Sequence, residues 1–352
     1  MENYVRQFSS DKILKHLDRV GAWIKGENPP PVTVELDMTN ICNHRCPECS
    51  GWYFQNRDRD SLSRGLAGKI IRQLAKAKIK GLIFTGGGDP LCHPDITKMV
   101  GLSHKLGMDI GFITNGSLIN ENNAAALLKY CTWLRVSLDA ASKKTFKRVH
   151  GLDGDAFQGV IDNIKLLVKT KKDIKSQTVI GVGYLTSSYT KREMLKATRL
   201  CRQLNVDYLQ FRPMQIHNGG RFEYHRDDII MRIHECVKES KGSFKVLYSR
   251  HKYDMMKDKN YGRNYGKCYG HQFATVIAAD AKVYLCCHMR GNKKYCIGDL
   301  KKNTFKDIWN SGRRKKVAEN IDFRDCVPLC RDNTFNQILW NIKQPREHVN
   351  FL

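Results

Sequence analysis

Three cysteines stand within eight residues in the segment NICNHRCPECSGWYF, with three and then two residues between them. Thiolates at Cys42, Cys46 and Cys49 can hold three irons of a cubane iron–sulfur cluster and leave the fourth iron open. Zinc is the competing metal, and His44 is a nominal fourth ligand for it. Because His44 lies only two residues from Cys42, a zinc site built from this loop alone would be strained, although a distant fourth ligand stays open. The spacing therefore favours an iron–sulfur site.

A second concentration of cysteines lies toward the C-terminus. The segment KCYGHQFATVIAADAKVYLCC reads as a hairpin, with Cys268 before its first strand and Cys286 and Cys287 ending its second. Further on, DCVPLC forms a compact clip with two thiols, at Cys326 and Cys330. Four ligands from two separated loops make a closed site for zinc or for a second cubane. The cysteines that stand singly are expected to be buried small hydrophobes: Cys92, Cys131, Cys201 and Cys236.

Strand and helix patterns alternate between the two cysteine groups. Helix-length segments carry apolar residues at three- and four-residue spacing, as at Leu66, Ile70 and Leu74. Repeated strand–helix alternation implies parallel strands joined by crossover helices. Six such units predict an open or partial barrel of the α/β class. The six runs that read as strands, because they are short, apolar and followed by turn residues, are TVELDM, GLIFTGG, DIGFITNG, WLRVSLD, TVIGVGYL and VDYLQFRP.

Polar or glycine-rich residues follow the first four strands. The first strand runs into the cysteine loop, the second into TGGGDP and the third into TNG, while the fourth carries Ser137 and Asp139. In parallel α/β folds ligands bind at the carboxyl ends of the strands, so all four features would share one rim. Three successive glycines allow a ligand to approach the backbone without a Cβ clash, although a tight turn explains them equally well.

In this order the motifs resemble those of the radical SAM superfamily over roughly residues 33–215, with Asp89 standing where the family usually has Glu. The resemblance implies a partial (β/α)6 TIM-like barrel and a 4Fe–4S cluster on the three cysteines. It also implies that S-adenosylmethionine chelates the open iron. An external one-electron reductant such as flavodoxin or ferredoxin would drive cleavage to methionine and a 5′-deoxyadenosyl radical, which removes a hydrogen atom from the substrate.

The same resemblance suggests which residues bind S-adenosylmethionine. Arg148 matches a position near which the family has a carboxylate-binding arginine, although KKTFKRVHG offers several basic residues. Ser137 and Asp139 would bind ribose hydroxyls or the amino-acid part, with turn capping as the alternative. The predicted cofactor-binding residues are Gly86, Gly87, Gly88, Asp89, Asn115, Ser137, Asp139, Arg148 and Arg212.

One position departs from the family pattern. The residue before the third cysteine is usually an aromatic that packs against adenine, whereas this chain has Glu48. Trp52, Tyr53 or Phe54 could supply a ring instead. Glu48 itself could accept a hydrogen bond from the adenine amino group.

The C-terminal cysteines are similar to those of the twitch domain, a shortened form of the SPASM domain. That resemblance implies a small α+β unit with one auxiliary 4Fe–4S cluster, and Cys287 and Cys296 are alternatives for its second ligand. Ala281 stands where the pattern usually has glycine. A fully ligated cluster can pass electrons and would favour oxidation of the substrate; the structural alternative is a cluster that only staples the domain. The predicted auxiliary ligands are Cys268, Cys286, Cys326 and Cys330.

Three segments are expected along the chain: an N-terminal helix and lead-in at 1–32, the barrel at 33–250, and the auxiliary-cluster domain at 251–352. The first contains SSDKILKHLDRVGAWIKG, an amphipathic pattern with Ser10 or Asp11 as its cap. The chain has no signal peptide at its start and no apolar run of membrane-spanning length. We therefore expect a cytoplasmic protein without a membrane partner.

The formal net charge of +25 predicts attraction to anionic partners. Because the lysines are spread over most segments, a specific nucleic-acid surface is not favoured. The leading hypothesis is a radical SAM oxidoreductase that oxidises or epimerises a small, polar, anionic substrate of sugar, nucleotide or aminocyclitol type. A maturase acting on a ribosomally made peptide is the second hypothesis. A nucleic-acid-binding protein with a structural metal site is the third.

Overall fold

A sheet of ten strands runs through the computed structural model, which describes residues 10–49, 59–214, 226–256, 263–344, 347–348 and 350. Trp52, Tyr53 and Phe54, the candidate adenine contacts, lie outside the described residues. The strands are β1 (Thr33–Asp37), β2 (Gly81–Thr85), β3 (Asp109–Thr114), β4 (Trp133–Ser137), β5 (Val179–Thr186), β6 (Tyr208–Pro213), β7 (Lys245–Tyr248), β8 (Ala274–Ile277), β9 (Lys282–Tyr284) and β10 (Cys296–Asp299).

Helices connect the central strands as the alternation predicts. Ser63, Asn120 and Ser142 cap three of these helices by accepting hydrogen bonds from first-turn backbone N–H groups. The helices are α1 (Leu17–Ile24), α2 (Arg64–Lys76), α3 (Ile96–Lys105), α4 (Glu121–Tyr130), α5 (Lys143–His150), α6 (Ala156–Asp173), α7 (Met194–Gln203), α8 (Arg226–Val237), α9 (Arg250–Met255), α10 (Phe305–Trp309), α11 (Gly312–Glu319) and α12 (Asn333–Lys343). None of the helices in the described ranges is long and apolar enough to cross a membrane.

Strands β1 to β7 lie side by side and run parallel, which gives a partial TIM-like barrel of the predicted α/β class. The six predicted strands are all present. The seventh, β7, pairs with β6 from Tyr208 opposite Lys245. Its four residues, KVLY, follow a polar helical stretch and are too short to stand out in the sequence.

The N-terminal segment differs from the single helix predicted for it. A 3₁₀ helix at Ser10–Lys15 is followed by α1, which begins after His16, a residue that makes no side-chain capping bond. Neither Ser10 nor Asp11 therefore caps α1. Tertiary packing replaces local capping, because the apolar residues of both pieces enter a separate core that also contains residues from the C-terminal part: Ile13, Val20, Trp23, Phe273 and Leu339.

Side chains alternate between the outside and the interior of the barrel. Along β1, Val34 and Leu36 are fully buried in the core, whereas Glu35 points to the interior cavity. Along β4, Leu134 and Val136 are fully buried in the same core. This is the period-two pattern of a strand whose two faces meet different environments. The barrel interior is therefore polar, which makes it suited to hold a charged ligand.

Two aromatic rings fill the interior at the amino ends of the strands, and glycines make room for them. A Cβ added to Gly111 would lie 2.3 Å from the ring of Trp133. A Cβ added to Gly181 would lie 1.9 Å from the ring of Tyr208. The paired strands place these residues opposite each other, Gly111 with Trp133 and Gly181 with Tyr208. The two rings therefore fill the amino-terminal end of the barrel interior, below the cavity.

The C-terminal strands continue the barrel sheet. β8 pairs in parallel with β1, with Thr33 opposite Ala274, and β9 and β10 add antiparallel strands beyond it. The predicted boundary between residues 250 and 251 falls at the first residue of α9. The C-terminal segment therefore reaches the opposite side of β1 from the rest of the barrel.

Buried charges join the two parts at β1. Glu35 is ion-paired with Arg331 and lies 2.9 Å from Nη2 of Arg290, whose Nε lies 2.5 Å from Oδ2 of Asp37. Although burial opposes ionisation, Arg331 and Arg290 hold the pKa of Glu35 to about 2. Burial raises the pKa of Asp37 to about 6 despite Arg290. We call these four residues the ionic bridge.

We expect Gly181→Ala to lower the free energy of unfolding by about 1–3 kcal/mol, because the added methyl group must displace the Tyr208 ring. Chemical denaturation followed by circular dichroism measures the change. Gly159→Ala is the matched control, since Gly159 lies in α6 with nothing within 4 Å of an added Cβ. It should stabilise by roughly 0.5–1 kcal/mol. Equal effects of the two substitutions on the free energy of unfolding would contradict the close packing of the Tyr208 ring against Gly181.

Glu35→Gln should destabilise the protein by about 3 kcal/mol, because it leaves the largely buried Arg290 and the half-buried Arg331 with less counter-charge. Thermal and urea unfolding measure the loss. Asp162→Asn, which breaks an exposed pair with Lys165, is the control and should change neither midpoint measurably. A Glu35 variant as stable as the control would mean that the ionic bridge does not hold the two parts together.

Candidate functional site

A cavity of about 430 Å³ opens at the carboxyl ends of the barrel strands. A larger depression of about 860 Å³, at the opposite end near Tyr130 and Thr178, contains none of the predicted site residues. The first cavity is therefore the candidate site. The predicted residues that line it are Cys42, Cys46, Cys49, Gly86, Gly87, Gly88, Asp89, Asn115, Ser137, Asp139 and Arg212.

The cysteine loop and the glycine-rich turn are packed backbone against backbone. The N–H of Gly88 donates to the carbonyl of Thr39 at 3.1 Å, and the N–H of Asp89 donates to that of Ile41 at 3.0 Å. A Cβ on Gly88 would lie 2.1 Å from the Ile41 carbonyl oxygen. Glycine is therefore needed at this position to let the turn approach the loop that carries the thiols.

Asp89 joins the turn after β2 to the turn after β3. Its carboxylate accepts hydrogen bonds from the Leu91 N–H at 2.9 Å, the Asn115 N–H at 2.6 Å and the Thr114 hydroxyl at 2.9 and 3.0 Å. Burial raises its pKa although these donors favour the charged form. The carboxylate is well satisfied by the protein, so its contribution to a ligand site is to position the Asn115 turn.

Two histidines lie beside Cys46 and bear on the zinc alternative. The Nδ1 atoms of His44 and His150 are 3.2 Å apart, and Cys46 Sγ lies 3.5 Å from Nδ1 of His150. The outer nitrogens contact the Ser117 hydroxyl at 2.5 Å and the Leu138 carbonyl at 2.9 Å. A carbonyl only accepts, so Nε2 of His150 carries a proton, and its Nδ1 can accept from Nδ1–H of His44.

These contacts agree with two neutral imidazoles. Burial lowers the pKa of His44 to about 3, with His150 adding to the effect, and burial also lowers the pKa of His150. The two side chains and Cys46 are close enough to be considered as metal ligands. Each ring nitrogen nevertheless has a protein contact, so the pair is better described as a neutral support for the cysteine loop than as zinc ligands.

The three loop thiols need a cation if they are to ionise. Burial raises the pKa of Cys42 to about 12, and burial also raises the pKa of Cys46. The neighbouring cysteines add to this by mutual repulsion. Thiolates are the form that binds metals. A site of three half-buried cysteines on one loop, without a fourth thiol beside them in the motif, fits a cluster with one open iron.

Asp139 adopts a left-handed backbone conformation, with φ of 51°. This region is strained for residues other than glycine, although Asp tolerates it better than most. Its Oδ1 accepts a hydrogen bond from the Leu185 N–H at 2.6 Å, which links the end of β4 to β5. Burial raises the pKa of Asp139, although the electrostatic effects of His150 and Arg212 lower it. The strain and burial of a carboxylate at a strand end are features typical of functional sites.

The structure does not bring Arg148 into the cavity lining. Its guanidinium stacks on the ring of Tyr189, 4.1 Å from the centroid. Glu48 does line the cavity and influences the pKa of Tyr189, which burial raises. An aromatic ring therefore lies near the position where the family has one before the third cysteine. Tyr189 lies in TSSYTK after β5, where no motif in the sequence marked it.

The auxiliary cysteines form a second group of interacting thiols. Burial raises the pKa values of Cys268, Cys286 and Cys330. The charge of Cys268 raises the pKa values of Cys286 and Cys330 further, and Cys326 has the same effect on Cys268. Backbone N–H groups of Gly270 and His271 donate to the sulfur of Cys268. Hydrogen bonds to cysteine sulfur are one of the means by which proteins tune iron–sulfur clusters. The group is therefore suited to cluster binding.

The remaining C-terminal cysteines lie differently. Cys326 has a pKa raised by burial and interacts with Cys268. Cys287 lines the cavity, whereas the four predicted auxiliary ligands do not. Cys296 packs in a separate core with Val276 and Tyr284, and its thiol donates to the Gly298 carbonyl at 3.6 Å.

Arg135 and Lys252 are among the cavity residues that the sequence did not predict. Arg135 is a charged residue on a buried strand, WLRVS, and that contradiction is the signal that could have found it. Lys252 lies on α9, in a polar stretch that gives no such signal.

Comparisons with known proteins agree with the site. Residues 36–188 match the radical SAM superfamily, and residues 268–333 match the SPASM family, described as an iron-sulfur cluster-binding domain. The AdoMet-dependent heme synthase of Methanosarcina barkeri is 23% identical over 85% of this chain and 88% of its own length. A probable GTP 3′,8-cyclase of Saccharolobus islandicus is 23% identical over 60% of this chain and 66% of its own.

A solved structure has the same fold. Streptococcus suis SuiB bound to its precursor peptide SuiA superposes with a TM-score of 0.68 at 14% identity, covering 91% of this chain and 76% of SuiB. The predictions of family, fold class, enzyme class and cofactors are confirmed. The chain therefore contains a radical SAM domain over residues 36–188, which binds a 4Fe–4S cluster with S-adenosylmethionine, followed by a SPASM domain over residues 268–333, which binds auxiliary iron–sulfur clusters.

Proposed function

We propose that this enzyme takes a hydrogen atom from a small, polar, anionic molecule of sugar, nucleotide or aminocyclitol type and oxidises or epimerises it. The observation that carries the proposal is one cavity that reaches from the first cysteine group, at Cys42, to Cys287 beside the second. Cations line it between the two, among them Arg135, Arg212 and Lys252. The two curated relatives, one named for heme and one for GTP, support a small-molecule substrate.

Cys42, Cys46 and Cys49 would hold the cluster that binds S-adenosylmethionine. When bound, these groups supply the 5′-deoxyadenosyl radical that removes the hydrogen atom. The packed turn at Gly88 and the carboxylate of Asp89 fix the rim on which the cofactor would lie. The residues proposed to contact it are Gly86, Gly87, Gly88, Asn115, Ser137 and Asp139. Asp89 would act by positioning the Asn115 turn, Arg148 lies outside the cavity lining, and Arg212 is grouped with Arg135.

One auxiliary cluster would be held by Cys268, Cys286, Cys326 and Cys330. With four thiolates it has no open iron for a substrate, so its contribution would be to accept or pass an electron. A one-electron acceptor next to the cavity supports net oxidation of the substrate. An external flavodoxin or ferredoxin would supply the electron for each cleavage of S-adenosylmethionine.

A peptide substrate is the second candidate. SuiB, whose fold this chain shares over 91% of its residues, is bound to a precursor peptide in its structure. Deuterium tracing decides between the two substrate classes: deuterium from labelled sugars or nucleotides, and not from labelled peptides, should appear in 5′-deoxyadenosine. Transfer from peptides alone would replace the small-molecule proposal.

Replacing Cys42, Cys46 and Cys49 together by alanine should remove roughly half of the iron of the reconstituted protein, because two cubanes hold equal shares. Formation of 5′-deoxyadenosine should cease. Iron and sulfide analysis with chromatography of the nucleoside measures both. Cys201→Ala, at a fully buried cysteine in the core, is the control and should keep all the iron. Complete loss of iron, or none, would argue against two independent sites.

Cys286→Ser and Cys287→Ser form a pair that tests the auxiliary ligand set. The serine oxygen is a poor substitute for a thiolate in a cluster of this kind. We expect Cys286→Ser to lower the auxiliary iron content, whereas Cys287→Ser keeps it, as measured by iron analysis and electron paramagnetic resonance of the reduced protein. The opposite order would make Cys287 the ligand.

A further inference from the structure

The cations that line the cavity fall into two sets. Arg290 and Arg331 belong to the ionic bridge, where carboxylates neutralise them. Arg135, Arg212 and Lys252 make no ion pair among the residues that the structure describes. Three unpaired positive charges in one partly closed cavity are unfavourable unless a ligand supplies the counter-charge.

Arg135 and Arg212 meet over a strand that has no side chain between them. Gly183 lies on β5, and an added Cβ there would be 3.2 Å from Nη2 of Arg212 and 3.5 Å from Cδ of Arg135. Arg135 is 8% exposed, and its Nη1 donates to Oε1 of Gln210 at 3.0 Å. The Nε atoms of both arginines have no hydrogen-bond partner among the described residues. Two guanidinium groups are thus held close together with donors unused.

Lys252 extends this charge toward the second cysteine group. Its ammonium group interacts electrostatically with Arg212 and Arg331 and also with Cys330 and Cys287. Burial, and then Arg212 and Arg331, lower the pKa of Lys252 to about 8. Burial, and then Arg135, lower the pKa of Arg212 to about 9. In both cases burial is the largest cause of the lowered pKa, and neighbouring positive charge adds to it.

The acidic groups within reach, among the residues that the structure describes, do not form ion pairs with the three cations. Asp332 interacts with Lys252, but its carboxylate is ion-paired with Arg331 and burial raises its pKa. Asp139 interacts with Arg135 and Arg212, but its Oδ1 accepts from the Leu185 N–H and burial raises its pKa. Glu48, at the edge of the cysteine loop, lines the cavity without an ion pair to any of the three cations among the described residues.

We propose that Arg135, Arg212 and Lys252 form an anion-binding subsite that holds a carboxylate or phosphate group of the substrate between the two cysteine groups. The proposal rests on the proposed function and deepens it, because it says which group of the substrate is recognised. In this proposal Arg212 binds the substrate, whereas the resemblance to the radical SAM superfamily predicted that it binds the cofactor. Planar guanidinium groups match the paired oxygens of carboxylate and phosphate, and the ammonium group adds a point charge.

Isothermal titration calorimetry of the reconstituted holoenzyme tests the subsite with two probes, inorganic phosphate and succinate, in a zwitterionic buffer. Each probe is titrated with and without saturating S-adenosylmethionine. We expect one probe to bind with a stoichiometry near one, and to bind equally well when the cofactor is present. The tighter probe identifies the recognised group as phosphate or carboxylate.

Variants locate the bound anion. Arg212→Gln and Lys252→Gln should each weaken binding of the better probe by roughly tenfold, the loss expected for a charged hydrogen bond. Arg212→Lys, which keeps the charge, should recover part of the affinity. Arg199→Gln, at an exposed arginine of α7 paired with Glu239, is the matched control and should bind as the wild type does.

Three results would overturn the subsite: no binding of either probe to the wild type, equal weakening by Arg199→Gln, or displacement of the probe by S-adenosylmethionine. Displacement by S-adenosylmethionine would mean that the three cations bind the cofactor and not the substrate. Iron content and circular dichroism identify variants that fail to fold. The titration of the wild type tests anion binding without relying on any variant. Formation of 5′-deoxyadenosine is measured separately, so that its absence refutes the proposed function while anion binding is still judged by itself.

Discussion

The join along β1 determines where everything else in the site lies. On one side β1 pairs with β2 and leads into the cysteine loop, and on the other it pairs with β8 of the C-terminal segment. The same strand carries Glu35 and Asp37, whose carboxylates meet Arg290 and Arg331 from that segment. Hydrogen bonds set the register, and buried charges penalise any separation, because each would be left unpaired. The first cysteine group consequently lines the same cavity as Cys287, which lies beside the second group.

The cavity combines rigid neutral support with unbalanced charge. Around the first cysteine group, His44 and His150 are neutral and hydrogen-bonded to each other. Asp89 is saturated by backbone and hydroxyl donors. The two imidazoles can hold the loop without adding charge, and the Asp89 carboxylate already has its hydrogen-bond acceptors occupied by the protein. Deeper in the barrel, Arg135 and Arg212 lack ion pairs among the described residues, so an anion is favoured there. Under the proposed function and the proposed anion subsite, cofactor and substrate would occupy different parts of one site.

Local patterns in the sequence predicted much of this arrangement, because they depend on nearest neighbours. Six strands, the loop with its three thiols and the rim at Asp139 all follow from apolar runs and turn residues. Ala281, which stands where glycine is usual, has the left-handed conformation that explains the usual choice, with φ of 68°. The features that the sequence did not predict depend on long-range packing. The break at His16, the short strand β7 and the stacking of Arg148 on Tyr189 depend on residues far apart in the chain.

The proposed function requires two cysteine groups of different kinds. The first would hold a cluster with one iron open to S-adenosylmethionine, and the second would hold a cluster in which every iron has a thiolate ligand. Electron paramagnetic resonance of the reduced, reconstituted enzyme tests this directly when spectra are recorded before and after addition of the cofactor. The account predicts that only the signal missing from the Cys42/Cys46/Cys49 triple-alanine variant changes on addition. A change in the signal that survives in that variant, or no change in either, would contradict it.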